Sequence, residues 1–222
     1  MRFKFIGICA LSLCFIVPCS ANLITASGAG ATPGTAQDLT GVFPTEIIGT
    51  LSGTDQNDVN MFEIFIRDPF NFSALTVLPG AFGIPDTVLS LFDLSGTGIY
   101  LNDDISGSNT LSCLSSGGVS NPCPTSGSVL PAGFYFLAIS RSANYPVDGS
   151  NNEIFNPVSS TDLVGPSSNG PVAGWDGGAF TSPDFDLTQY DIVLSGTVPE
   201  PATAMLTLGA GVLLGLLRRR RS

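Results

Sequence analysis

The chain has 222 residues, 43% of them hydrophobic, with eight Lys and Arg against eighteen Asp and Glu and no histidine. Both ends read as targeting segments, which leaves residues 22–198 to fold, a length suited to one domain around one core. Between the ends only Arg67 and Arg141 oppose seventeen acids (eighteen less Glu200), so the body carries −15. That charge repels phosphate, which excludes a nucleic-acid partner and disfavours an anionic membrane surface.

Met1-Arg2-Phe3-Lys4 is a short basic start, followed by an apolar run over residues 5–17 and by Cys19-Ser20-Ala21. Small residues at −3 and −1 predict a signal peptide over 1–21, cleaved after Ala21. Leu13 and Pro18 precede Cys14 and Cys19, where a lipoprotein signal wants a small residue. Residues 22–45 read as an N-terminal linker.

The body, 46–196, reads as short strands between turns rich in Gly, Asp, Asn, Pro and Ser: 46–51, 59–67, 74–78, 87–93, 98–101, 133–140 and 189–195. Phe62, Ile64 and Ile66 alternate with Glu63, Phe65 and Arg67, and Tyr190, Ile192 and Leu194 alternate with Asp191, Val193 and Ser195. Period-two alternation predicts an all-β fold, an antiparallel, jelly-roll-like β-sandwich. A long insertion, about 142–186, has few apolar residues, and Trp175 is expected to pin it to the sandwich; the alternative is an exposed glycan-stacking tryptophan.

Cys113 and Cys123 are the two cysteines outside the leader. In an exported chain they are expected to form one disulfide closing a small loop. Two cysteines without histidine support zinc poorly. Asp93, with Asp103 and Asp104 in the run Asn102–Gly107, offers hard oxygen ligands suited to weak Ca²⁺ binding. The alternative is a plain Asx turn between strands. No other cofactor is expected.

The chain ends in Val198-Pro199-Glu200-Pro201, an uncharged run over 202–217 and Arg218-Arg219-Arg220-Arg221. A buried core helix does not end in four arginines. Sixteen residues at 1.5 Å each give roughly 24 Å, short for a hydrocarbon layer of about 30 Å, but snorkelling arginines extend it. The positive-inside rule puts the arginines in the cytoplasm and the body outside the inner membrane.

This three-part tail, 197–222, resembles the PEP-CTERM sorting signal, also known as an ice-binding protein C-terminal motif. The resemblance implies that Pro199, Glu200 and Pro201 are read by an exosortase-type transpeptidase, which removes the tail and passes the body to the cell envelope or extracellular matrix. Two prolines keep that segment extended and accessible. The body resembles the bacterial pre-peptidase C-terminal β-sandwich modules through five motifs in order. These are Asp58-Val59-Asn60-Met61-Phe62, Asp86-Thr87-Val88-Leu89-Ser90-Leu91-Phe92-Asp93, Leu101-Asn102-Asp103-Asp104, Leu130-Pro131-Ala132-Gly133-Phe134-Tyr135-Phe136-Leu137 and Tyr190-Asp191-Ile192-Val193-Leu194. That resemblance implies a non-catalytic adhesive or targeting domain.

Ser-His-Asp and Cys-His mechanisms need an imidazole that the chain lacks. No G-x-S-x-G, Walker or H-E-x-x-H pattern is present. Paired carboxylates leave glycoside hydrolysis as an alternative. A third and weaker alternative is ice binding, which only the other name of the tail suggests and no regular Thr-x-Thr array supports. The expectation is a non-enzymatic structural or adhesive surface protein whose partners are an exosortase, the inner membrane through the 202–217 helix, and polysaccharide.

Overall fold

A computed structural model of the chain describes residues 22–52, 55, 57–84, 86–117, 122–124, 128–156, 159–168, 170–178 and 188–198. The signal peptide, Pro199-Glu200-Pro201, the 202–217 helix and the arginine cluster lie outside the described residues. Among the described residues no helix is long and apolar enough to cross a membrane.

Twelve strands are described: β1 Leu23–Thr25, β2 Gln37–Asp38, β3 Glu46–Thr50, β4 Asn60–Ile66, β5 Ser73–Val77, β6 Thr87–Phe92, β7 Gly98–Asn102, β8 Cys113–Ser115, β9 Gly133–Arg141, β10 Pro146–Asp148, β11 Val172–Trp175 and β12 Gln189–Ser195. They form two five-stranded sheets, β1-β3-β12-β5-β8 and β2-β4-β9-β6-β7, and a β10-β11 pair. Set aside β1, β2, β10 and β11, and number the remaining eight strands 1 to 8. The sheets then read 1-8-3-6 and 2-7-4-5, all pairs antiparallel, which is jelly-roll order.

The alternation in sequence decides what faces the core. Ile47, Phe62, Ile64, Ile66, Ala74, Leu89, Leu91, Leu114, Leu137, Ile139, Ile192 and Leu194 are buried together between the sheets. Two polar links cross this interior. Asn60 Nδ2 donates to the Thr50 carbonyl (2.9 Å) and the Tyr190 hydroxyl (3.0 Å). Thr76 and Thr87 share a hydroxyl hydrogen bond of 2.9 Å, with Ser112 bonded to both. Buried polar groups that are paired in this way fix which strands face one another.

Two findings depart from the sequence reading. Residues 22–45 are not a linker: β1 pairs with β3 and β2 with β4, both in parallel, so this segment adds an edge to each sheet. The sandwich is therefore antiparallel with two parallel edges. Elements of two and three residues carry too little pattern to be read as strands.

The insertion forms a third layer. Val59, Met61, Val88, Phe92, Phe136 and Ala138 point away from the first core. They are buried under Ile154, Phe155 and Val172 of the insertion, with Tyr145, Val164 and Trp175 packed alongside. Phe155 meets Phe92 edge-on, with centroids 5.9 Å apart. A Cβ on Gly98 would come within 2.5 Å of Ile154 and 2.7 Å of Phe155, so only glycine lets the insertion approach β7 this closely. With both of its faces covered, β6 is buried at all six positions.

Candidate functional site

β6 and β7 form a hairpin in which Leu89 pairs with Asn102. In an antiparallel pair the residue before the first strand meets the residues after the second. Asp86 therefore comes together with Asp103 and Asp104, and one carboxylate oxygen from each lies within 4.8 Å of the others. Asp93 is at the other end of the same hairpin and is not part of this group. Its Oδ1 accepts hydrogen bonds from the Ser95 amide (2.8 Å), the Ser95 hydroxyl (2.6 Å) and the Thr97 amide (3.0 Å). Gly96, at φ 81°, completes that tight turn. Of the three expected calcium ligands, then, the structure joins Asp103 and Asp104, puts Asp93 in an Asx turn and brings in Asp86. Pairing the two strands with Asp93 to Thr97 as their turn would have pointed to Asp86 from the sequence.

Three further segments close around the triplet. The Ser142 amide donates to the Asp86 carbonyl (3.3 Å), and the Asp104 amide donates to the Ser160 carbonyl (2.8 Å). Asn102 Nδ2 donates to the carbonyls of Asp104 (2.9 Å) and Asp162 (3.2 Å), while its Oδ1 accepts from the Cys113 amide (2.8 Å). Tyr145 donates its hydroxyl to Asp103 Oδ2 at 2.8 Å.

Asp103 is 6% exposed, and its Oδ1 accepts no hydrogen bond. Burial, with a smaller contribution from the negative charges of Asp104 and Asp86, raises its carboxyl to about 6, against the pull of the Tyr145 bond. Burial and the neighbouring Asp103 hold the Tyr145 phenol far above its usual range, so it stays a proton donor.

A second carboxyl pair lies on the outer face of the first sheet. Ile47 and Ile192 point into the core, so Glu46 and Asp191, one step along adjacent strands, point outwards. Burial, and after it the neighbouring Glu46 carboxyl, raise Asp191 above the normal carboxylate range.

Cys113, on edge strand β8, is disulfide-bonded to Cys123. Trp175 is half-buried on the second core, and its indole Nε1 donates to the Ala31 carbonyl at 2.8 Å. The ring packs rather than standing free.

The folded body is tied down to its last described residues. Gly196 O accepts from the amides of Arg67 (2.8 Å) and Asp68 (2.9 Å), and the buried Thr197 hydroxyl donates to the Pro44 carbonyl (2.6 Å). From there the sequence enters the tail. Residues 197–221 match the PEP-CTERM protein-sorting motif. The PEP-CTERM motif is read by exosortase, and it marks the chain for export and sorting to the cell envelope. The match does not extend to the strands on which the resemblance to pre-peptidase C-terminal modules rests. No curated protein matches the chain.

Proposed function

We propose that this is a non-catalytic surface protein whose jelly-roll body is exported behind a cleaved signal peptide and held at the inner membrane by the 202–217 segment. An exosortase-type transpeptidase then cuts it near Pro199-Glu200-Pro201. The freed body serves as a structural or adhesive component of the envelope or extracellular matrix, in association with exopolysaccharide. The observation that carries this reading is the PEP-CTERM match, which begins at residue 197, at the last described residues of the body.

The sorting role is tested by fractionation in a host that has an exosortase. The native chain reaches the envelope or medium, whereas a Pro199→Ala, Glu200→Ala chain accumulates in the inner membrane. Equal distribution of the two would remove the processing role and leave a simple anchor, since an anchor needs only apolarity and a basic end.

The Glu46–Asp191 pair favours a second reading, a carbohydrate-active enzyme using two carboxyls. The two carboxyls sit on neighbouring strands of one sheet face, where burial and the charge of Glu46 raise the proton affinity of Asp191. Polysaccharide turnover that disappears in Asp191→Asn would establish this reading; polysaccharide retention without turnover supports the first.

A further inference from the structure

We infer that Asp86, Asp103 and Asp104 form a calcium site at the junction of the sandwich and its insertion, assembled by the β6–β7 hairpin and closed by the 142–145 and 160–162 turns. Two independent observations carry it. The hairpin register brings three carboxylates within 4.8 Å of one another. Asp103, 94% buried by its 6% exposure, keeps one oxygen without any hydrogen bond. A buried carboxylate oxygen without a donor is a costly group, and a hard cation satisfies it and neutralises its neighbours at the same time.

The chemistry selects the ion. All three ligands are carboxylates, the chain has no histidine, and the neighbouring Cys113 is held in its disulfide, so nothing favours zinc or copper. Ca²⁺ takes six to eight oxygens in flexible geometry, so three carboxylates completed by water suit it, while Mg²⁺ demands a stricter octahedron. The body's −15 charge raises the local cation concentration. Arg141 is the nearby basic residue, since it pairs with Thr87. Arg141 is 6% exposed and, like Asp86, is engaged in interactions of its own. Because the triplet joins the end of the central sheet to turns of the third layer, the ion would lock that layer down. This inference does not depend on how the tail is processed.

The test uses the full chain, purified in detergent and stripped with a chelator. Tb³⁺ serves as the first probe, because Tyr145, bonded to Asp103, can sensitise its luminescence. Tyrosine-excited Tb³⁺ emission should appear and be displaced by Ca²⁺. The melting temperature should rise saturably, with a midpoint between about 0.1 and 1 mM Ca²⁺, the range of extracellular modules. Asp104→Asn, at a half-exposed position that tolerates the change, should weaken the midpoint by about tenfold or more through the lost ligand charge. Asp93→Asn should leave it unchanged. No saturable response below about 10 mM would overturn the site, as would a native midpoint in Asp104→Asn or a lost response in Asp93→Asn alone.

Discussion

The Tyr145 hydroxyl donates to Oδ2 of Asp103 at 2.8 Å, joining two residues 42 positions apart at the point where the insertion leaves β9 and returns over the central sheet. The bond satisfies one oxygen of a buried carboxyl and anchors the start of the third layer. Tyr145→Phe keeps the ring and removes only the bond. It should destabilise the chain by about 1–2 kcal/mol, the cost typical of a hydrogen bond to a buried charged group. It should also raise the Asp103 pKa further, because that bond now favours the carboxylate. Urea unfolding and a carboxyl titration followed by NMR measure the two effects separately.

In the metal-free chain, stability should fall as pH rises from about 4 to about 6. Asp103 titrates near 6 when folded but near 3.9 when unfolded, so in this window the folded state binds more protons. Stability from the protonated form is fully present below the unfolded value and is lost through the folded one, a change on the order of 2–3 kcal/mol. Asp191 adds a change of the same sign, because burial and Glu46 raise it too. Asp148, held at about 2 by bonds from Asn152 and Ser168, has the opposite sign but acts below this window. Asp103→Asn should flatten the profile between pH 4 and 6. A stability that climbs across that interval would contradict the burial of Asp103.

Trp175 fastens the insertion in two ways, by its ring on the second core and by Nε1 to the Ala31 carbonyl. Trp175→Phe should cost about 1 kcal/mol for the lost bond, and Trp175→Ala about 2–3 kcal/mol, less than for a fully buried tryptophan. Being the sole tryptophan, it reports on its own layer by fluorescence. A native emission blue-shifted from that of the unfolded chain is expected; identical spectra would mean that the ring is fully hydrated.

The Cys113–Cys123 bridge ties edge strand β8 to the segment beyond it. Closing a loop this short should stabilise the chain by about 2–3 kcal/mol over the reduced form. Non-reducing peptide mapping of the exported protein should give one linked peptide, and two alkylatable thiols would contradict the bridge.

The sandwich was legible in the sequence because Phe62-x-Ile64-x-Ile66 and Tyr190-x-Ile192-x-Leu194 bury one face at a period of two. The third layer was not. Ile154, Phe155 and Val172 are scattered among Gly, Asn and Ser, and they pack by side-chain contact rather than through a regular period. The only trace was in the strands they cover: β6 and β9 are apolar on both faces, as a central layer requires. The acidic site was half legible. Asp103 and Asp104 are adjacent in sequence, but Asp86 joins them only through the hairpin register, and proximity in sequence favoured Asp93, whose carboxylate caps a turn.

The most direct test of the sorting account is the intact mass of the mature protein recovered from a host with an exosortase. The account predicts a species that begins at Asn22, retains the body and lacks the apolar segment and arginines of the PEP-CTERM match. The Pro199→Ala, Glu200→Ala chain in the same host should keep its tail. A native species still ending at Ser222 would contradict processing and leave a jelly roll on a permanent anchor.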